Sequence, residues 1–248
     1  MSSLRRNHFS GSTKDPAAPD RDRTTVNLLD CCSVPGRNAC LGLHACYARP
    51  KRYAFAVLTL LKDVPSLSDR ALPLTVEAWH QMVSAGVAPE RAELIRGVII
   101  EKMSKSILHF KLTHLLVEFL RKALGDAFWV RQEAPLTLAD SEPEPDLSVV
   151  DGRLEDYPDH PKTARLVVEV SVTTLAADRA MADLYAEAGV SEFWLVNAEE
   201  RCLEMYWRPE DGIYQERGTT CCGEVAVSRA IPSLSVDLLE LFERASAQ

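Results

Sequence analysis

Two carboxylates stand where strand-like sequence ordinarily excludes charge. In "EPEPDLSVV", Glu142 to Val150, Asp146 ends a run of acid and proline steps and opens an apolar strand. In "RLVVEVSV", residues 165–172, Glu169 interrupts a nearly continuous apolar run, the pattern of a central strand covered on both faces. A carboxylate buried there without a partner is costly, so Glu169 needs an ion pair, a proton or a bound cation. Arg165 or Arg179 would supply the ion pair; a metal or catalytic role is the other reading. Asp146 alone says less, because aspartate after proline is common in turns. Two acids also serve sugar hydrolysis, but the aromatic platform expected around a sugar is missing.

Period and punctuation identify the elements that must position these acids. Leu74, Ala78, Trp79 and Met82 fall at helical spacing before Gly86 and Pro89 stop the segment. "AELIRGVIIEKMS" reads as two short strands turning at Arg96-Gly97, with Glu93 at the start of the first. Leu108, Leu112, Leu115, Leu116 and Phe119 form one stripe, so residues 107–124 are an amphipathic helix closed by Gly125. Strands follow at 128–138, 146–150 and 165–172; alternation sends only one of Gln132 and Glu133 inward. In "AADRAMADLYAEAG", Ala180, Met181, Leu184, Tyr185 and Ala188 share a helical face that ends at Gly189. "EFWLVN" and "RCLEMYWR" are further strands, "YQER" and "EVAVS" continue a sheet edge, and "LSVDLLELFE" is a closing helix. Together these make a mixed sheet flanked by helices, an α/β sandwich at residues 71–248. Residues 1–70 form an extension without sustained periodicity, expected to be poorly structured.

Composition narrows the class. With 46% apolar and 26% charged residues, the chain reads as a soluble cytoplasmic protein; its apolar stretch at 53–61 is too short to cross a bilayer. Seven cysteines at 31, 32, 40, 46, 202, 221 and 222 make no regular framework. They read as incidental thiols, with a zinc site from Cys31, Cys32, Cys40, Cys46 and His44 as the alternative. Residues 1–56 carry nine Lys or Arg against four Asp, so a net charge of -8 leaves about -13 on the remainder. Such a domain repels bulk DNA phosphate unless a metal ion or a local basic strip reverses the field, and Lys102, Lys105, Lys111 and Arg131 are the candidates for that strip.

"EPDLSVV", then "LVVEVSV", then "DRAMADLYAEAGVSEFWLV" resemble the Uma-two family of restriction-endonuclease-like proteins, within the PD-(D/E)xK nuclease superfamily. "AELIRGVIIEKMSKS", His109 and "VRQEAPLTL" extend the resemblance, in order, over residues 72–240. It implies a restriction-endonuclease-like core in which carboxylates of adjacent strands converge on a divalent metal, Mg²⁺ with Mn²⁺ as the alternative. Asp146 then matches the aspartate of the "PD" element, Glu169 the acid of the next strand and Glu93 an additional acidic position. Oxygen ligands of this kind suit a hard ion that polarises a phosphodiester and helps generate hydroxide. Glu93 is read equally as a structural partner of an arginine. His109 falls at a position often histidine in the family, where it contacts substrate or water or else caps and packs a helix. Tyr185 and Trp194 read as core.

One position departs from the pattern. The lysine that often sits four residues before the tyrosine is Met181 here, and a thioether neither donates a charged hydrogen bond nor offsets phosphate charge. Arg179 and Lys105 are the replacement candidates. Two functions follow: a metal-dependent DNA endonuclease, homodimeric by resemblance, or a catalytically impaired member of the same fold acting through binding.

Overall fold

The computed structural model describes residues 63–68 and 70–247, and Pro65–Gln248 form one compact unit. The stretch 53–61 and the cluster Cys31, Cys32, Cys40, Cys46 and His44 lie outside the described residues. Helix α1 (Val76–Ser84) begins after Leu74 rather than including it, because Thr75 accepts the Ala78 N–H at 3.1 Å as an N-cap. Strands β1 (Ala92–Ile95) and β2 (Val98–Glu101) form the expected hairpin. Its two-residue turn places Arg96 at φ 51° and Gly97 at φ 72°, the left-handed pair that suits strand twist. Gly97 is also pressed against the chain entering α1. A Cβ there would lie 2.3 Å from Pro73 Cβ, while the Gly97 carbonyl accepts the Leu74 N–H at 3.0 Å.

Helix α2 (Ile107–Leu124) follows, with Ser106 accepting the His109 N–H at 3.2 Å as its cap and Gly125 closing it at φ 57°. Six strands then build the main sheet in chain order: β3 (Phe128–Gln132), β4 (Leu147–Asp151), β5 (Leu166–Ser171), β6 (Glu192–Asn197), β7 (Cys202–Glu210) and β8 (Ile213–Cys221). All neighbours are antiparallel except β5 and β6, whose parallel pairing requires the crossover helix α3 (Leu175–Glu187). Strand β3 ends at Gln132 rather than running to 138, because Glu133 turns to φ 47°.

Alternation sorts β5 onto two faces. Leu166, Val168 and Val170 pack with Leu112, Leu116 and Leu120 of α2 and with Leu241 and Phe242 of the closing helix α4 (Leu238–Ser246). Val167 faces the other way, toward Leu184 and Tyr185 of α3, Phe193 and Leu195. Each fully buried leucine contributes about 2 kcal/mol by leaving water, so the two helical layers clamp β5 from both sides. That clamp fixes the strand that carries Glu169.

Two expectations are corrected. The segment "EVAVS" does not extend the main sheet edge: β9 (Val225–Val227) pairs with β10 (Ser235–Asp237) in a separate two-stranded sheet, because Ala226 and Val236 bury beneath α2 and α4. The cysteines at 202 and 221 are not incidental thiols. They stand opposite each other on β7 and β8, with Cα atoms 4.0 Å apart, and form a disulfide, which leaves Cys222 as the free cysteine among the described residues.

The hairpin turn yields a stability prediction. Gly97→Ala adds both a left-handed strain and a clash against Pro73, and is expected to lower stability by about 2–3 kcal/mol, read as a lower urea midpoint with an unchanged slope.

Candidate active site

The acid and proline steps of residues 142–146 form an extended arm whose alternate N–H groups all find acceptors. Glu142 N–H donates to the Leu94 carbonyl at 2.7 Å, Glu144 N–H to Glu93 Oε2 at 3.1 Å and Asp146 N–H to Glu169 Oε2 at 3.1 Å. Pro143 and Pro145 sit between them, where a missing N–H costs nothing, and their fixed φ keeps the arm extended. The arm thus ties β1 to β5 and delivers Asp146 to the start of β4.

Asp146 is 5% exposed and returns the contact: its Oδ2 accepts the Val170 N–H at 2.8 Å. Asp146 therefore exchanges hydrogen bonds with two successive residues of β5, Glu169 and Val170, just beyond the ladder. Lys105 Nζ lies 2.6 Å from Asp146 Oδ1, and His109 Nε2 lies 3.0 Å from Oδ2. Burial pushes the Asp146 carboxyl up, but His109 and Lys105 outweigh it and hold its pKa below the ordinary value. Among the described residues Glu169 has no such cation. Tyr185 donates its hydroxyl to Glu169 Oε1 at 2.8 Å, and burial followed by the Asp146 charge raises the Glu169 pKa well above its ordinary value. Glu93 is raised as well, chiefly by burial and against the Glu144 N–H that it accepts.

The helices reach this acid row from opposite sides of the sheet, α2 through His109 and α3 through Tyr185. The His109 ring contacts the central carboxylate. Of the two replacement cations, Lys105 is at the site and also contacts Glu133 Oε1 at 2.8 Å; the left-handed turn at Glu133 aims that side chain back across the loop. Arg179 is elsewhere, its Nε 2.9 Å from Glu204 Oε2 on β7. Met181 packs on the apolar cluster beneath α3. The expected basic strip does not assemble: Lys102 pairs with Glu144, Lys111 donates to the Ala247 carbonyl at 2.6 Å, and Arg131 is buried against Ser148 and Pro135. Trp194 is core, its indole N–H 2.7 Å from Glu192 Oε1. Gln132 is exposed at the strand end. The Tyr185 hydroxyl carries no distinct signal in the sequence, because its ring belongs to the apolar stripe.

In chemistry the donors fit a hard divalent cation: Asp146 and Glu169 are adjacent carboxylates whose mutual repulsion a cation relieves. In geometry they supply a pair rather than a cage, since among the described residues no three His, Cys, Asp or Glu side chains converge in a metal-binding group. A pair suffices for Mg²⁺, which commonly takes one or two carboxylates and completes its shell with water and phosphate oxygens.

Comparison with known proteins identifies the family and the fold. The Uma2 family, described as "Putative restriction endonuclease", matches residues 77–239. The chain belongs to this family. No curated protein matches it. Among solved structures it is similar to "a putative nuclease belonging to DUF820" from Anabaena variabilis, with 19% identity and a TM-score of 0.55 over 70% of this chain and 99% of that one. The fold is therefore the restriction-endonuclease-like α/β core that the Uma2 motifs implied, with a mixed sheet flanked by helices. Restriction-endonuclease-like families of this kind generally use a divalent metal. Among the described residues no helix is long and apolar enough to cross a membrane.

The contrast between the two acids is testable without any substrate. A folded-state pKa raised above the unfolded one favours folding at low pH, and that contribution is lost as pH rises through the folded value. Glu169→Gln removes the charge, so in metal-free buffer its stability relative to wild type is expected to improve steadily as pH climbs above 4.5, the ordinary glutamate value. Urea titrations at several pH values in chelator measure this; a pH-independent difference would contradict the assignment.

Proposed function

We propose that this protein is a metal-dependent DNA endonuclease whose site is the Asp146, Glu169 pair, with Glu93 as an auxiliary acid. The observation that carries the reading is the Lys105 ammonium 2.6 Å from Asp146 Oδ1. It supplies, from the loop before α2, the cation missing at Met181. When bound, a divalent ion such as Mg²⁺ or Mn²⁺ supplies Lewis-acid polarisation of a phosphodiester and an acidified water. Asp146 and Glu169 are the residues that would hold it. Tyr185 fixes the orientation of Glu169, His109 that of Asp146, and Lys105 offsets negative charge as it builds on the phosphate. The family resemblance adds a homodimer, in which two such sites would cut the two strands of a duplex.

A second reading has one observation in its favour. Both oxygens of Asp146 are already engaged, by Lys105 on one side and by His109 and Val170 on the other, as suits a non-catalytic binding protein that keeps the fold.

Plasmid nicking in Mg²⁺ or Mn²⁺ separates the two. Wild type is expected to nick, Asp146→Ala to be silent, and Lys105→Ala to lose about two to three decades in rate, the typical cost of one transition-state electrostatic contact. Adding Met181→Lys to Lys105→Ala is expected to recover part of the loss. Cleavage by Asp146→Ala at the wild-type rate would sink the site; nicking that appears only once Met181→Lys is introduced would favour the binding reading.

A further inference from the structure

Strands β5 and β6 are the one parallel pair of the main sheet, and α3 connects them, so their carboxyl ends and the amino end of α3 meet at a single edge. In such βαβ units that edge collects anions, because helix N–H groups and the helix dipole converge there. Two unpartnered polar side chains sit at this edge. Ser171 and Asn197 are register partners, the last residues of β5 and β6, only 2% and 3% exposed; Ser171 Oγ and Asn197 Nδ2 have no hydrogen-bond partner among the described residues. Alternation from Val167 and Glu169 and from Phe193 and Leu195 turns both toward the α3 side of the sheet.

The helix end is open as well. Thr174, the N-cap residue of α3, makes no side-chain cap; it donates its hydroxyl to Asp178 at 2.6 Å. The Ala177 and Asp178 N–H groups return to the Thr174 carbonyl, and those of Leu175 and Ala176 have no acceptor among the described residues. Asn197 Oδ1 already accepts the Glu200 N–H at 3.1 Å, so its amide nitrogen is the end left to donate. At the two strand ends the unspent buried side-chain groups are thus a hydroxyl and an amide donor, and buried donors without acceptors destabilise the fold unless an acceptor arrives. The cover is thin: Thr173 is exposed, and Val172, Thr174 and Leu175 are only half-buried. Asp178 is the one opposing charge in the first turn of α3, and Thr174 already engages it.

We propose that Ser171, Asn197 and the first N–H groups of α3 form a phosphate subsite two residues along β5 from Glu169. Resting on the nuclease reading, it takes a backbone phosphate of the strand next to the one presented to Asp146 and Glu169. It would explain how an acidic domain without an assembled basic strip grips DNA, through neutral donors and a helix terminus rather than lysines.

The test uses the isotopically labelled full chain in chelator, so that no cleavage occurs, with inorganic phosphate and a short single-stranded DNA oligonucleotide as separate probes. Both are expected to shift the Leu175 and Ala176 amide resonances. Ser171→Ala and Asn197→Asp, the latter keeping the acceptor for Glu200, are expected to weaken binding by about tenfold, the usual worth of a hydrogen bond to a charged group. The melting temperature of Ser171→Ala should stay at or above wild type, since its hydroxyl has no partner among the described residues to lose. Asn197→Asp buries a carboxylate and is expected to melt lower, so its binding is read well below its melting temperature. A response to phosphate without one to DNA would keep the subsite and remove the nuclease reading alone. Unmoved amides, unchanged affinity in both variants, or a fall in the Ser171→Ala melting temperature that accounts for its lost binding would overturn the proposal.

Discussion

The structure depends on the hydrogen-bond exchange between Asp146 and β5. Asp146 donates its N–H to the Glu169 carboxylate and receives the Val170 N–H on its own. Two side chains thereby do what main-chain groups do inside a ladder, and they do it at the edge where the β4 and β5 ladder ends. A short carboxylate fits this geometry because it accepts two or more donors while its own backbone N–H points the other way. The exchange fixes the separation of two acids that electrostatics would drive apart. The alternate prolines hold it in place by stiffening the arm that leads into β4.

That geometry creates an asymmetry of charge. Asp146 is flanked by a lysine and a histidine, whereas Glu169 receives only a tyrosine hydroxyl and a backbone N–H. Neutral donors orient a carboxylate without offsetting its charge, so the protein stabilises ionised Asp146 and leaves Glu169 electrostatically under-compensated. Glu192 offers a control within the same fold. It is fully buried on β6, yet the Trp194 indole, Ser228 and the Arg229 and Ala230 N–H groups satisfy it, anchoring the loop before β10. Burial alone does not mark a functional acid. What sets Glu169 apart is a second carboxylate at hydrogen-bond range of its neighbour's backbone.

That distinction was not legible in the sequence. "LVVEVSV" and "SEFWLVN" both place a glutamate at an apolar strand, and only the pairing of β4 with β5 tells them apart. Local elements were legible where period and punctuation agreed: α2 spans the range that its leucine stripe marks, and the first hairpin turns at Arg96 and Gly97. The misread edges have local causes. Thr75 starts α1 late, a left-handed Glu133 ends β3 early, and burial beneath α2 and α4 diverts β9 to its own small sheet. The cysteine pair was hidden because its partners are 19 residues apart on opposite arms of a hairpin, a relation that spacing alone does not reveal. Lys105, on a flexible loop, and Arg179, about 200° around its helix from Met181, are both candidates as sequence, and the fold places Lys105 at Asp146 and Arg179 at Glu204.

The position of the cation has its own logic. Residue 181 lies on the stripe of α3 that packs against β5 and β6, so a lysine there threads its stem past apolar neighbours, whereas methionine fills the same space without a charge to solvate. Lys105 approaches from a loop and is still 38% exposed, with carboxylates of Glu133 and Asp146 on either side. It keeps water for part of its charge, and burial lowers its pKa less than Asp146 and Glu133 raise it. Moving the cation from helix to loop therefore eases packing of the α3 layer, but it gives up the rigid backbone that a helix provides. Two carboxylates restore part of that rigidity by fixing the ammonium from both sides, and Ser106 restores more by capping α2 on the very next residue.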